Sequence, residues 1–325
     1  MSILITGVAG FIGSNIARCL VQAGHLVIGF DNLCRGKRSN LAGLIGHERF
    51  VLETVELSDG VVYREALARA HCHEPVTEVW HMAANSDISA GIADAGIDWR
   101  DTFMTTFNTL EIMKELKIPV LVFASSSAIY GDFKGARIRE DMGPLLPISN
   151  YGAMKLASEA AISAASGSWL SRAFLYRFPN VIGVPATHGV IYDFIHRLRV
   201  NPAVLDVHGN GTQQKAYLHC DDLIDAMLFI RAKAPENFTY YNIGPLDMGV
   251  TVRFIAEEVA ALVAPCAKIN YGEDSRGWVG DVPKFAYSID KLRALGWKPS
   301  LDSTAAVRRA IRDIAEQEMA SCDKP

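Results

Sequence analysis

Ser2-Ile3-Leu4-Ile5-Thr6-Gly7-Val8-Ala9-Gly10-Phe11-Ile12-Gly13-Ser14-Asn15-Ile16-Ala17-Arg18-Cys19-Leu20 is the stretch whose reading decides the fold. It opens as a short apolar run, is punctuated by glycines, and continues with apolar residues at helical period, which predicts strand, glycine turn and helix. Gly7 and Gly10 let the backbone bend sharply and approach a pyrophosphate, while Gly13 lets the helix pack on the strand. The helix N-terminus adds amide donors and the positive end of its dipole. The spacing G-x-x-G-x-x-G differs by one residue from the commoner G-x-G-x-x-G, and glycines alone also make a plain turn.

Outward from there, Leu26-Val27-Ile28-Gly29-Phe30 reads as a second strand ending in Asp31. A carboxylate at that place accepts from the adenosine ribose hydroxyls and repels a 2′-phosphate, so the expected cofactor is NAD rather than NADP. The basic cluster Arg35-Gly36-Lys37-Arg38 is either a solvated loop or a phosphate contact. Apolar runs at 50–55, 76–82 and 120–123 alternate with helical stretches. This predicts an α/β fold, a doubly wound parallel sheet covered on both faces with ligands at the carboxyl ends of its strands. No repeat, low-complexity run or linker interrupts the chain, so a second lobe must grow out of the first.

At 325 residues, 50% apolar and 21% charged, the chain can bury a large core as one bilobal unit or two interlocked domains. Lys and Arg number 32 against 36 Asp and Glu, and a net charge of −4 without a basic block argues against a nucleic-acid or anionic-membrane partner. The first apolar run is broken at Gly7, too early for a signal sequence or a membrane span, so the cytoplasm is the expected location. Six cysteines lie scattered without a C-x-x-C pair, which suits reduced thiols better than disulfides or zinc. His71-Cys72-His73 invites a metal reading, but adjacent helical residues diverge by ~100°; a surface turn before Pro75 is expected there, and no metal.

Pro147-Ile148-Ser149-Asn150-Tyr151-Gly152-Ala153-Met154-Lys155 sets a Tyr and a Lys one helical turn apart on the same face. A phenol with an ordinary pKa near ~10 needs a nearby cation to act as a base at neutral pH, and Lys155 can supply one. The plainer account of the same spacing is a solvated helix face.

Six motifs in register carry a resemblance that covers nearly the whole chain: Thr6 to Gly13 as quoted above, Asp31-Asn32-Leu33, His81-Met82-Ala83-Ala84, Ser125-Ser126-Ser127-Ala128-Ile129-Tyr130-Gly131, Tyr151-Gly152-Ala153-Met154-Lys155 and Arg177-Phe178-Pro179-Asn180-Val181-Ile182-Gly183. The chain resembles the extended short-chain dehydrogenase/reductases, in their NAD-dependent nucleotide-sugar epimerase and dehydratase family. The resemblance implies a Rossmann-type NAD-binding domain over 1–180, to which 216–245 returns, and a smaller C-terminal α/β lobe over 181–325 for the sugar nucleotide. It implies cofactor contacts from Gly7, Gly10, Phe11, Ile12, Gly13, Asp31, Asn32, Ala83, Tyr151 and Lys155. Tyr151 is then the general base and acid, Lys155 holds the nicotinamide ribose and lowers the phenol pKa, and Ser126 binds the reacting hydroxyl. Ser125 and Ser127 line cofactor and sugar. Asn180, Lys215 and Arg276 grip a diphosphate, with Lys215 at a place where Arg is usual; a point charge there replaces a bidentate fork. Helices near 99–116 and 151–165 are expected to pair with their copies in a homodimeric four-helix bundle.

The sequence departs from the family at several places. Thr102 falls where an Asn is usual and Thr105 where a Gly is usual. Asp87, in Asn85-Ser86-Asp87-Ile88, is either a sugar contact or the N-cap of the next turn. Dehydratases of this type carry an acidic pair directly after the catalytic hydroxyl residue; here those places are Ser127 and Ala128, and decarboxylases keep a Glu where Ala128 stands. The expected reaction is therefore inversion at C4 of a nucleotide-diphosphate sugar through a 4-keto intermediate. A 4-ketoreductase or a dehydratase is the alternative, and a non-enzymatic nucleotide-binding scaffold is disfavoured because Ser126, Tyr151 and Lys155 are all present.

Overall fold

Short, apolar strands build the sheet that the opening stretch predicts. The structure, a computed structural model, describes residues 1–274 and 286–322. The sheet comprises β1 (Ser2–Thr6), β2 (Leu26–Asp31), β3 (Phe50–Thr54), β4 (Val76–His81), β5 (Val120–Ala124), β6 (Arg172–Arg177) and β7 (Phe238–Asn242), in the order β7-β6-β5-β4-β1-β2-β3. The pairings from β3 to β6 are all parallel. Registry aligns Ile28, Leu4, Val79, Leu121 and Ala173 in one row across five strands. Side chains alternate along a strand, so this whole row faces one side of the sheet. There it is buried by Tyr63 and Leu67 of α2 (Gly60–His73) and by Leu110 and Met113 of a helix at Thr105–Leu116. Ile3, Ile5 and Val27 point the other way and are fully buried, on the side that receives α1 (Phe11–Gln22) through Ile16, Ala17 and Leu20.

The strand order reverses between β1 and β4, which opens a crevice at the carboxyl ends of those two strands. Two short helices, α3 (Ile88–Ala93) and α4 (Ala95–Asp98), follow β4, then a π-turn at Trp99–Met104 runs into α5 (Thr105–Leu116). After β5 comes α6 (Asn150–Ser166), the helix of the Tyr-x-x-x-Lys motif. His71-Cys72-His73 closes α2 rather than forming a turn, and no cluster of metal-ligating side chains occurs among the described residues. No helix of the described residues is long and apolar enough to cross a membrane.

The chain divides into two compact units. The first is Met1–Gly131, Gly143–Arg177 and Arg231–Tyr241; the second is Asp132–Met142, Phe178–Ile230 and Asn242–Pro325. The division thus falls at Arg177 where the sequence reading has 180, the returning segment is shorter than 216–245, and residues 132–142 belong to the second unit. Glu78 ties the return to the sheet: its buried carboxylate accepts from Arg231 Nε at 2.6 Å and from Trp80 Nε1 at 2.7 Å. The second unit is also α/β. Helices Val190–Val200, Val252–Val263 and Ser303–Cys322 enclose Phe194, Leu198, Ile255, Val259, Val307 and Ile311, beside short strand pairs such as Asn180–Ile182 with Tyr217–His219.

Candidate active site

Gly7 has φ +66°, and a Cβ there would stand 2.9 Å from the Ala83 backbone; Ala83 N in turn donates to Thr6 Oγ1 at 3.3 Å. A Cβ on Gly13 would lie 2.2 Å from Gly7 O, so this glycine is demanded by helix-to-strand packing. Gly10 differs. A Cβ there meets only Gly7 O at 3.2 Å, and α1 begins at Gly10 without a side-chain cap. An uncapped helix N-terminus behind this glycine is a cradle that fits a dinucleotide pyrophosphate, with the amides of Phe11, Ile12 and Gly13 at its first turn. Asp31, at the end of β2, accepts from Ala9 N at 2.9 Å and Leu33 N at 2.8 Å, which locks the glycine turn to the next loop. Burial raises its carboxyl pKa against the pull of those two bonds. Asn32 turns to Glu56 at 2.8 Å. Arg35 pairs with Asp87 at 3.1 Å, and Asp87 also caps α3 by accepting from Ala90 N at 3.0 Å. The cap expected of Asp87 is thus present.

The catalytic candidates are brought together by one close approach. Ser149 caps α6 by accepting from Gly152 N at 3.1 Å, and a Cβ on Gly152 would stand 2.4 Å from Ala128 O. Only glycine lets α6 lie so tightly on the turn at Ser127–Ile129, which Ser126 caps through Ala128 N at 3.1 Å. Ser126 and Tyr151 consequently share a hydrogen bond. One turn on, Lys155 is 2% exposed, donates from Nζ to Ala124 O at 2.6 Å, and lies 4.7 Å from the Phe123 ring centroid and 5.8 Å from that of Tyr151. Burial pushes the Tyr151 phenol up to about 12, eased by the Ser126 bond and reinforced by the charge of Asp98. Burial also brings Lys155 down to about 7, opposed by Glu159 and Asp98. Desolvation is thus the largest influence on both members of the pair, raising the phenol and lowering the ammonium.

Behind this pair lies a buried ionic frame. Arg177 donates to Glu159 through Nε at 2.9 Å and a second nitrogen at 2.6 Å, and to the Tyr130 hydroxyl at 2.9 Å. Ser125 Oγ donates to Glu159 at 2.5 Å, which joins Ser125 to the frame. Ser127 is half-buried in its turn. Thr102 Oγ1, on the π-turn, accepts from Asn85 N at 3.1 Å, and Asn85 Nδ2 donates to Asp98 Oδ1 at 2.9 Å. Sequence reasoning missed Asp98, whose surroundings give no local signal. It also missed Glu159, although its position four residues after Lys155 on one helical face was a visible cue. Asn180 and Lys215 lie in the second unit, where the strand opened by Asn180 pairs with the strand that starts two residues after Lys215. Arg276 lies outside the described residues.

Residues 3–244 match the NAD dependent epimerase/dehydratase family. The chain belongs to this family. Among solved structures, a UDP-galactose 4-epimerase is 33% identical with a TM-score of 0.85, covering 98% of this chain and 99% of its own. The UDP-glucose 4-epimerase of Thermus thermophilus, solved in complex with NAD, is 29% identical with a TM-score of 0.82 over 97% and 99% of the two chains. A dTDP-glucose 4,6-dehydratase of Neisseria gonorrhoeae is 27% identical over 96% of this chain and 94% of its own, so overall identity does not separate the two chemistries. The glycine turn, Asp31 and the Tyr151-Lys155 helix are the parts of this chain that fit the family's NAD.

Proposed function

We propose that the chain is an NAD-dependent 4-epimerase of a nucleotide-diphosphate sugar, oxidising C4 to a ketone and reducing it again on the opposite face. One observation carries the choice within the family: Ser127 and Ala128 follow Ser126, so no carboxylate occupies the places that serve water loss in dehydratases. Removing a proton from C5 and delivering one to O6 near neutral pH needs groups that titrate there, and a serine hydroxyl and a methyl do not. One proton at O4 needs only Tyr151.

Ser126, already bonded to the phenol, holds the C4 hydroxyl against it. Tyr151 takes the O4 proton as the carbinol is oxidised and gives it back when the ketone is reduced. When bound, NAD would supply the hydride acceptor and a positive charge. Lys155, fixed by Ala124 O, orients the ribose next to it and adds charge that favours the phenolate. Within the second unit, Asn180 and Lys215 are the residues this reading offers to a diphosphate, Lys215 as a point charge. A second copy of the chain covers the stripe of Trp99, Phe103 and Phe107, whose rings lie tilted against one another at 5.1 and 6.4 Å between centroids, with Trp99 52% exposed and Phe103 half-buried.

The test is proton NMR of a panel of sugar nucleotides in deuterium oxide. Epimerisation with the C4 hydrogen retained, no deuterium at C5 and no consumption of added NADH is expected, and Tyr151→Phe should cost on the order of 10²–10⁴ in rate. A 6-deoxy-4-keto product or deuterium at C5 overturns the proposal in favour of dehydration. Stoichiometric loss of NADH or NADPH overturns it in favour of a ketoreductase.

A further inference from the structure

We infer that Asp98 is a positioning residue of the catalytic pair: its buried carboxylate, at the end of α4, is the countercharge that holds Lys155 as a cation beside Tyr151. Asp98 is 0% exposed. Its Oδ1 is held by Asn85 Nδ2 at 2.9 Å, while Oδ2 has no hydrogen-bond partner among the described residues. The space for that oxygen is made by Gly91, where a Cβ would stand 1.9 Å from it. α3, α4 and the π-turn all pack against α6, the helix of Tyr151 and Lys155.

Two carboxylates act on Lys155, Glu159 and Asp98. The charge of Glu159 is already matched by the two bonds from Arg177. Asp98 has no ion pair among the described residues, so its charge is the one left to act through the low-dielectric interior. The other charged groups that face it are Asp101 and Asp87, which push its carboxyl pKa up along with burial, and Asp87 is partly matched by Arg35. His81, which faces Lys155 from β4, is held neutral, its pKa brought down by burial to about 3. Thr102 completes the arrangement. By accepting the Asn85 backbone amide where the family usually has an Asn, it fixes the residue whose side chain grips Asp98. A negative charge here keeps the proton on both members of the pair, favouring the ammonium of Lys155 and the neutral phenol of Tyr151 before substrate arrives.

The first arm of the test needs neither cofactor nor substrate: titrate Lys155 in the free protein by NMR of isotope-labelled lysines, assigning its signal with Lys155→Met. Asp98→Asn should lower the Lys155 midpoint by ~0.5 pH unit or more. Asn85→Ala, which removes the donor to Asp98 but leaves the backbone bond to Thr102, should move it in the same direction by less. The second arm rests on the epimerase reading: the pH profile of kcat/KM should slide toward acid on both limbs in Asp98→Asn, whereas a merely structural defect lowers the profile without sliding it. An unmoved Lys155 midpoint in folded Asp98→Asn overturns the inference; should that variant fail to fold, an unmoved midpoint in Asn85→Ala does so. A wild type that turns over no sugar nucleotide defeats the epimerase reading alone, and the Lys155 titration still decides the role of Asp98.

Discussion

Replacing Lys155 by Met should make the protein more stable at pH 6 while abolishing its activity. The ammonium is brought from an ordinary 10.5 to about 7 because it is 2% exposed and stripped of water. Each pH unit between those values corresponds to ~1.4 kcal/mol, so holding the charged form inside the fold costs on the order of 4–5 kcal/mol at pH 6. Met fills a similar volume and carries no charge, losing only the bond to Ala124 O, worth about 1–3 kcal/mol. The sign of the pH dependence follows from proton counting. Between about pH 7 and 10.5 the unfolded chain keeps the lysine proton and the folded one has released it, so wild-type stability rises with pH across that window. Lys155→Met has no such group, and its advantage should shrink from pH 6 to pH 10. Urea unfolding at half-unit pH steps, wild type against variant, measures the difference directly. Two stability curves that run parallel from pH 6 to 10 would refute the account of a desolvated lysine.

Three further outcomes are expected. Arg177→Met leaves the Glu159 carboxylate buried without its cation and should cost ~3–5 kcal/mol in urea unfolding, whereas a loss below ~1 kcal/mol would show that the frame is relaxed or wet. Asp31→Ser should lower the ratio of NAD to NADP affinity, measured by calorimetry, by about tenfold or more, since the 2′-phosphate no longer meets a carboxylate; an unchanged ratio removes Asp31 from the ribose. Phe107→Glu, on the exposed stripe, should convert a dimer to monomer in sedimentation equilibrium at micromolar concentration, and a wild type already monomeric there contradicts the bundle.

The sheet was legible because its signal is local and repeated: β1 to β5 coincide within a residue with apolar runs, and glycines mark the turn where β1 meets α1. Tyr151 and Lys155 were legible for the same reason, as a short spacing on one helix. What stayed hidden depends on contacts distant in sequence. Nothing near Ser125 announces Glu159, 34 residues on, and nothing near Asp98 announces that Asn85 will hold it. The direction in which burial pushes the Tyr151 phenol was hidden as well, because sequence shows which charges are near in the chain and says little about how dry the site will be. Residues 132–142 fell to the second unit although they sit between parts of the first, a crossing that no composition change marks.

That crossing, with the late return at 231–241, makes the nucleotide-binding half a discontinuous assembly, and this bears on how the chain is made. A ribosome that has released residues 1–177 has delivered six of the seven strands of the sheet but not β7, nor the Arg231 guanidinium that Glu78 awaits. A carboxylate destined for a dry interior then stays hydrated at the bottom of β4 until more than fifty further residues have emerged. An expression fragment ending near 180 would carry Ser126, Tyr151 and Lys155 yet leave that acid without its cation and β6 with a bare edge, exposed to pairing with other chains. The unit that carries Ser126, Tyr151 and Lys155 is therefore not a contiguous module; moving it into another protein means carrying the intervening residues 178–230 along with it.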